Sequence, residues 1–371
     1  PAPQVTWDID DEKTIMKIVA SECWVERFKL KESYSIAYQQ DISHCDNVFL
    51  SLKTDEGYTG YGMAAPDEIV TGEDATTVLQ SYSGHIEACM KGENPFFYSR
   101  LYEELREALP GQASALAMVE IALYDLMAQK ADVPLYMFLG GYKKKIITSV
   151  TIGILPDADV LERVDGHLAN GILSIKLKGG LDVERDIRIV GLVRKRIGKH
   201  LSLTFDANQG YSLIEAAHFI RSTRHAALEL IEQPTSPELT FQWHLLRQEG
   251  NVPIMADESL KKLADSFNLS SRQAVDFLNI KLMKVGGITP ALQINSSARS
   301  AAVRCMMGCM DESSLGIAAG LHVALARPNI SHADLDSWMD VENDPFLGLV
   351  HLEGGYLHTN GLPGLGIQRK K

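Results

Sequence analysis

The hydrophobic pattern of the first 140 residues predicts strands followed by helices. Residues 14–27 alternate between apolar and polar side chains, as a half-buried strand does, and residues 47–54 and 58–63 predict two more strands joined by a tight turn. From residue 74 to 129 the apolar positions follow helical spacing, and residues 118–126 are apolar on two faces, which is typical of a buried helix. This part of the chain therefore predicts an α+β unit.

Beyond residue 146 a short apolar run recurs about every 24–28 residues, and each run is followed by a helical segment. The eight runs are 148–154, 173–178, 201–206, 228–232, 253–257, 277–281, 303–308 and 329–334. Eight strand–helix units predict a (β/α)8 barrel, which is an α/β fold. An open doubly wound sheet is the alternative, but it normally has a glycine-rich turn after its first strand, whereas Leu155-Pro156-Asp157 follows the first run here.

The end of the chain loses this alternation of strands and helices. Residues 349–352 and 356–359 are strand-like pieces among many glycines. We expect this tail to fold back on the N-terminal region, so that a capping domain of residues 14–142 is completed by residues 340–371. The barrel then spans residues 146–338.

Composition and charge exclude several classes of partner. The 48 acidic and 36 basic residues give a net charge of −12 in 371 residues, and this charge repels nucleic acid and anionic membranes. No run approaches the roughly 20 apolar residues of a membrane span. Residues 1–13 predict no role, and their acidic, polar character is unlike a secretory signal. The five cysteines are odd in number and form no CxxC pair, so we expect a cytoplasmic protein.

Ionisable residues end five successive runs of the predicted barrel. They are Lys178, Asp206, Glu232, Asp257 and Lys281. The C-terminal ends of barrel strands line one cup, so these side chains are expected to meet there. Three carboxylates would repel one another without a cation, and an all-oxygen set without nearby His or Cys favours Mg²⁺ over zinc. A single Asp at a strand end is most often a helix cap, but capping does not explain three acids in register between two lysines.

The two lysines predict the chemistry. Lys178 and Lys281 belong to the second and sixth strands, on opposite sides of the ring, with the expected metal ligands between them. A nearby cation lowers the pKa of a lysine towards the range of a useful base, and both Mg²⁺ and Lys176 act in that direction. Two such bases can remove an α-proton from one face of a metal-bound carboxylate and return it to the other, while the metal stabilises the enediolate. This predicts racemisation or epimerisation.

Five motifs resemble those of the enolase superfamily and, within it, the muconate-lactonizing-enzyme-like subgroup. They are KLK (176–178), FDANQG (205–210), IEQP (231–234), MADES (255–259) and NIKLMK (279–284). The similarity extends over nearly the whole chain. The resemblance implies that Asp206, Glu232 and Asp257 bind one Mg²⁺ per subunit and that Lys178 and Lys281 are the acid/base pair.

The same resemblance implies roles for neighbouring residues. Lys176 is expected beside the substrate carboxylate or close enough to tune Lys178. Asn208 and Glu258 are expected to contact the metal ligands without binding the metal. Relatives of this kind are often oligomers, so we also expect a homo-oligomer.

Asp334-Leu335-Asp336, at the end of the eighth strand, is similar to a motif of dipeptide epimerases in which the carboxylates bind the α-ammonium of the substrate. An ammonium that enters a dry cup needs compensating negative charge, which agrees with this role. The expected reaction is an Mg-dependent 1,1-proton transfer at the α-carbon of the C-terminal residue of an L,L/L,D dipeptide. For the two acids, the alternative is a solvated loop. For the protein, the alternatives are an N-acylamino-acid racemase or o-succinylbenzoate synthase of the same subgroup, and a catalytically silent ligand-binding barrel.

Two departures from the family pattern concern substrate choice. Epimerases that act on Ala-Glu resemble one another in carrying an arginine on a capping-domain loop, but residues 34–43 contain no Arg or Lys and offer Gln39, Gln40 and Asp41 instead. Asp311 occupies a loop position that is apolar in many relatives, although it could simply cap the following helix. We therefore expect a cationic or neutral dipeptide rather than Ala-Glu.

Overall fold

The computed structural model describes residues 16–368, so the first two residues of the strand predicted at 14–27 lie outside the described residues. The described chain opens with an antiparallel sheet of three strands in chain order: β1 (Ile18–Ile36), β2 (Gln39–Thr54) and β3 (Thr59–Ala64). The three predicted strands are confirmed. However, β1 and β2 are longer than predicted, because both continue as a two-stranded hairpin beyond the part that pairs with β3. In this hairpin Phe28, Leu30, Ile36 and Ile42 are buried.

Helices follow this sheet in the chain, and several of them pack on it. They are α1 (Ala75–Ser81), α2 (Glu87–Met90), α3 (Tyr98–Ala108), α4 (Ala113–Lys130) and α5 (Leu135–Phe138). Helix α4 is buried on all sides over most of its length, as its sequence predicts. It packs closely on β3, where Gly62 permits the contact because a Cβ at this position would overlap the carbonyl oxygen of Met118.

After β4 (Ile146–Ile147), eight parallel strands follow with a helical segment after each of the first seven. The strands are β5 (Val150–Ile152), β6 (Ser174–Lys178), β7 (Ser202–Asp206), β8 (Leu230–Glu232), β9 (Ile254–Ala256), β10 (Phe277–Ile280), β11 (Arg304–Gly308) and β12 (Ile330–Asp334). Each strand lies within one of the eight predicted runs. Neighbours pair in chain order, and the Ser149 N–H donates to the Ala333 carbonyl oxygen at 3.0 Å, so the first and last strands meet. The predicted α/β barrel is confirmed.

The barrel helices cover the outside of these strands. They are α6 (Asp157–Ala169), α7 (Val183–Ile197), α8 (Leu213–Ser222), α9 (Trp243–Glu249), α10 (Leu263–Ser271), α11 (Leu282–Val285), α12 (Ile288–Ser300) and α13 (Ser314–Ala326). Both α11 and α12 lie between β10 and β11, because a turn at Gly286 and Gly287 divides that helical segment. Among the helices of the described chain, none is both long enough and apolar enough to cross a lipid bilayer.

The tail contacts both parts of the chain. Its strands β13 (Val350–Glu353) and β14 (Tyr356–Thr359) form an antiparallel pair, and β14 also pairs with β4 at the entry to the barrel. The Leu365 N–H donates to Asp125 Oδ1 of α4 at 2.8 Å. The tail thus reaches the N-terminal region as expected, while the division into domains at residues 142, 146 and 340 stays a prediction.

Candidate active site

The barrel brings the five predicted strand-end residues together. The parallel register places Lys178 beside Asp206 and Asp206 beside Glu232, while Asp257 and Lys281 directly follow β9 and β10. The three carboxylates are buried, and the side chains of both lysines are only 12% exposed. A compact group of opposite charges therefore occupies the carboxyl end of the barrel.

Lys176 occupies the centre of this group. Its ammonium nitrogen lies 2.7 Å from Glu232 Oε2, 2.8 Å from Asp334 Oδ2 and 3.1 Å from Asp206 Oδ2, and its side chain is 3% exposed. Burial by itself lowers the pKa of Lys176, but the three carboxylates outweigh burial and hold this pKa well above its usual value. Lys176 is therefore a buried cation that three acids share.

Lys178 and Lys281 are held from opposite sides of the carboxylates. The Lys178 ammonium donates to Asp206 Oδ2 at 2.7 Å, and the Lys281 ammonium lies 2.9 Å from Asp257 Oδ2. Burial lowers the pKa of Lys281, but the neighbouring Asp257 carboxylate raises this pKa by a larger amount. The pKa therefore lies well above the usual value. A lysine that acts as a base needs a lowered pKa. That such a pKa arises when a bound cation neutralises these carboxylates stays a prediction.

The carboxylates suit a hard divalent cation by their chemistry, because all their donors are oxygens. Asp206 Oδ2 and Glu232 Oε2 lie on either side of Lys176 Nζ, which stands in for a cation between them, and no well-directed hydrogen bond reaches Glu232 Oε2. Asp257 instead directs its oxygens at two other lysines. Among the described residues, no three Asp, Glu, His or Cys side chains meet closely enough to hold a metal in this arrangement. The donor chemistry fits Mg²⁺, although Lys176 Nζ occupies the position next to two of the carboxylates.

Asn279 and Lys284, to which the sequence assigned no role, hydrogen-bond to Glu232 and Asp257. Asn279 Nδ2 donates to Glu232 Oε1 at 2.6 Å. The fully buried Lys284 ammonium donates to Asp257 Oδ1 and to the carbonyl oxygens of Asp257 and Asn279. Both residues belong to the NIKLMK motif, where polar residues interrupt an apolar run, and this interruption was the available signal.

Asn208 contacts the predicted metal ligand Asp206, and Glu258 contacts Asn208, while their role around a metal stays a prediction. The Asn208 N–H donates to Asp206 Oδ1 at 2.9 Å, and Asn208 Nδ2 donates to Glu258 Oε1 at 3.2 Å. Burial and the charge of Asp257 raise the pKa of Glu258 to about 7. Glu258 Oε2 has no hydrogen-bond partner, so this carboxyl group has a free acceptor in a buried position.

Asp334 and Asp336 lie inside the barrel mouth, which contradicts the alternative of a solvated loop. The two residues are 6% and 9% exposed and line the cavity above the strand ends. Asp334 accepts from Ser149 Oγ at 2.5 Å and from Lys176, and Asp336 Oδ2 accepts from the Thr151 N–H at 2.6 Å. Burial and the adjacent Asp334 raise the pKa of Asp336 to about 7.

A cavity of about 430 Å³ separates the strand ends from the β1–β2 hairpin. Tyr34, Tyr38 and Gln39 of the hairpin line this cavity, whereas Gln40 and Asp41 are exposed residues at the start of β2 and do not line it. The predicted specificity loop is therefore placed over the site, but only part of it faces inward.

Asp311 lines the same cavity and does not cap the following helix. Its Oδ2 accepts from the Tyr34 hydroxyl at 2.8 Å, and its carbonyl oxygen accepts from Asn47 Nδ2 at 2.9 Å. The cap of α13 is Ser313 instead, whose hydroxyl accepts from the Leu315 N–H. Burial raises the pKa of Asp311, so its charge is poorly compensated in this position.

Two family models match most of the chain. Residues 27–140 match the N-terminal domain of mandelate racemase / muconate lactonizing enzyme, and residues 159–371 match the enolase C-terminal domain-like family. The chain belongs to the enolase superfamily. Within it, the chain belongs to the muconate-lactonizing-enzyme-like subgroup, in agreement with the motifs.

Similar proteins narrow the class of this enolase-superfamily member. A hydrophobic dipeptide epimerase of Enterococcus faecalis is 36% identical over 95% of this chain and 99% of its own length. An L-Lys-D/L-Arg epimerase of Desulforapulum autotrophicum is 37% identical over 95% of this chain and all of its own. The solved dipeptide epimerase of Methylococcus capsulatus, complexed with Mg and L-Arg-D-Lys, has a TM-score of 0.89 at 35% identity and covers 94% of this chain and 99% of its own. This enolase-superfamily protein is an isomerase of the racemase and epimerase class.

Proposed function

We propose that this protein is an Mg²⁺-dependent dipeptide epimerase. It would catalyse a 1,1-proton transfer at the α-carbon of the C-terminal residue of an L,L or L,D dipeptide. The observation that carries this proposal is the placement of Lys178 and Lys281 on opposite sides of three buried carboxylates, below a cavity that Asp334 and Asp336 also line. A site that only binds a ligand has no need of two opposed bases, which argues against a catalytically silent barrel.

The two lysines would exchange roles between the two directions of the reaction. One neutral lysine removes the α-proton from its face of the substrate, and the ammonium of the other supplies a proton to the opposite face. Both side chains line the cavity and retain a small exposed surface, so each reaches a ligand from its own side. The intermediate between the two transfers is an enediolate, whose extra charge must be stabilised.

Asp206, Glu232 and Asp257 would hold one Mg²⁺ per subunit. When bound, the ion supplies positive charge that stabilises the enediolate and favours the neutral form of the neighbouring lysines. Mg complexes of similar solved epimerases support this assignment. Lys176, which lies between two of these carboxylates, would then turn towards Asp334 or towards the carboxylate of the substrate.

Asp334 and Asp336 would bind the free α-ammonium of the dipeptide. Both are buried, and burial raises the pKa of Asp336, so a cationic partner would stabilise its charged form. An N-acyl substrate offers no such charge. The test is to compare kcat/KM for a free-amine dipeptide and its N-acyl counterpart. The proposal predicts turnover of the free amine, and preferred turnover of the N-acyl compound would instead favour an N-acylamino-acid racemase or o-succinylbenzoate synthase.

We propose a cationic or neutral dipeptide as the preferred substrate. Acidic side chains, among them Asp311 and Asp340, dominate the lining of the cavity. Besides the strand lysines, the basic residues in this lining, as far as the chain is described, are Arg163 and His44. A similar protein is named for Lys-Arg dipeptides and another for hydrophobic ones, so relatives of both kinds exist. A dipeptide library with stereochemical readout tests this preference. Fastest turnover of Ala-Glu, with negligible turnover of Lys- or Arg-containing peptides, would contradict it.

We also propose that the enzyme is a cytoplasmic homo-oligomer that binds neither nucleic acid nor membranes. Free thiols at all five cysteines and a net charge of −12 support this proposal. Light scattering of the purified protein measures the oligomeric state, and a mass near that of one chain would contradict it.

A further inference from the structure

Lys281 lies at the start of a short turn. It precedes α11, whose Lys284 and Val285 N–H groups donate to the Lys281 carbonyl oxygen at 3.0 and 3.1 Å. Gly286 and Gly287, both with positive φ, then lead into α12. A four-residue helix between a strand and two glycines has little rigidity of its own, so the position of Lys281 depends on what packs against this turn.

Helix α4 of the N-terminal region packs against this turn. Glu120 Oε2 accepts from the Thr289 N–H at 2.8 Å, and the Tyr124 hydroxyl lies 3.0 Å from Thr289 Oγ1. Lys178 is held differently, since in the described part of the chain no hydrogen bond joins α4 to residues 178–182. Within the described residues, the hydrogen bonds of α4 therefore reach the segment that follows Lys281 but not the one that follows Lys178.

Glu120 fits this turn closely. Its side chain is fully buried, its Oε1 has no hydrogen-bond partner, and a Cβ added at Gly287 would overlap its Oε2. Thr289 is the second residue of α12, so its N–H belongs to the free donors at the start of that helix. One carboxyl group thus joins α4 to the first turn of α12, across the two glycines that follow Lys281.

We propose that Glu120 is a positioning residue for Lys281. It holds Gly287 and the first turn of α12 against α4, at the end of the short helix that Lys281 begins, and thereby keeps the Lys281 ammonium at its face of the substrate. The inference rests on the proposed two-lysine reaction, in which each lysine serves one face. A displacement of Lys281 therefore slows proton removal from one epimer and leaves the other epimer to Lys178.

The test is α-proton exchange in D₂O, measured separately from the L,L and the L,D dipeptide with Mg²⁺ present. The Lys281→Ala variant first identifies the epimer that Lys281 serves. Glu120→Ala should slow exchange from that epimer about tenfold or more, because a displacement of about 1 Å has effects of this order. Glu120→Gln, which keeps an acceptor oxygen, should recover part of the loss. Tyr124→Phe should act in the same direction with a smaller effect.

Asp125→Ala is the matched control. Asp125 is also a buried carboxylate of α4, but it accepts from the Tyr61 and Leu365 N–H groups, away from the turn. Its loss should affect both epimers equally. Equal slowing of both epimers in the Glu120 variants, or no more selectivity than Asp125→Ala shows, would make Glu120 merely structural and overturn the proposal.

Failure of a variant to fold and failure of the proposed reaction can be told apart from failure of this inference. If Glu120→Ala does not fold, Glu120→Gln and Tyr124→Phe allow the same comparison of epimers, and absence of a selective effect in both would also overturn the proposal. If the wild-type enzyme exchanges neither epimer, the proposed reaction is wrong, whatever the role of Glu120.

Discussion

Replacement of Lys176 by Met should strongly destabilise the protein in the absence of metal. The Lys176 ammonium lies 2.7–3.1 Å from Asp206, Glu232 and Asp334, and its side chain is only 3% exposed. Removal of one partner from a buried ion pair costs about 3–5 kcal/mol, because the remaining charges stay buried without compensation. Met has a similar length and volume, so little of this loss would come from packing.

Mg²⁺ should reverse a large part of this loss. A ligand that binds only the folded state stabilises it by about 2.7 kcal/mol at a concentration 100 times its Kd. In the wild-type protein the proposed ion would have to displace Lys176 from Asp206 and Glu232, whereas in the variant Glu232 Oε2 has lost its ammonium and Asp206 Oδ2 keeps only that of Lys178. Mg²⁺ should therefore stabilise the variant more than the wild-type protein.

Urea unfolding in EDTA and in excess Mg²⁺ measures both effects. Lys53→Met is the control, because the Lys53 ammonium pairs with Glu22 at the surface, where an ion pair is worth about 0–1 kcal/mol. A loss below about 1 kcal/mol for Lys176→Met in EDTA would refute the proposed role of Lys176 as the shared counter-charge. Equal stabilisation of both proteins by Mg²⁺ would refute its competition with the metal.

Three further predictions concern catalysis, specificity and pH. Lys178→Ala and Lys281→Ala should each abolish epimerisation while one epimer, different for each variant, still exchanges its α-proton in D₂O; unchanged turnover in both would refute the two-base reaction. Asp311→Ala should lower kcat/KM for lysine-containing dipeptides about tenfold more than for neutral ones, since a hydrogen bond to a charged group is worth about 1.5–3 kcal/mol, and equal losses would argue against Asp311 as a specificity residue. Burial raises the pKa of Glu120 from 4.5 to about 7, so between these pH values the folded state keeps a proton that the unfolded chain releases. The free energy of unfolding should therefore fall by at most about 3 kcal/mol as the pH rises from 4.5 to 7. Glu120→Gln should flatten this slope in denaturant titrations, and an unchanged slope would contradict the raised pKa.

The sequence was sufficient to predict the barrel and the charged residues at the ends of its strands. Strands that are buried on both faces form mostly apolar runs, so each run marked its strand, and the residue that ended the run marked the active-site edge. The register of Lys178, Asp206 and Glu232 on β6, β7 and β8 follows directly from this rule. The same reasoning placed Asp334 at the end of β12.

Contacts between distant segments could not be predicted in this way. The Tyr34–Asp311 hydrogen bond joins residues far apart in the chain, and its existence depends on how the hairpin lies over the barrel. The extent of that hairpin was also missed, although Phe28 and Leu30 are buried and alternate with exposed lysines in its first strand. Lys284 was overlooked since a lysine one turn beyond Lys281 has the pattern of a surface residue, although the structure buries it completely.

In the proposed reaction, two opposed lysines move a proton at the α-carbon of a free-amine dipeptide. The decisive experiment is NMR of a lysine-containing L,L-dipeptide with the wild-type enzyme and Mg²⁺ in D₂O. We expect the L,D epimer to appear with deuterium at the α-carbon of its C-terminal residue. Absence of this epimer across the dipeptide library, or an epimer that retains the original α-proton, would refute the two-lysine reaction.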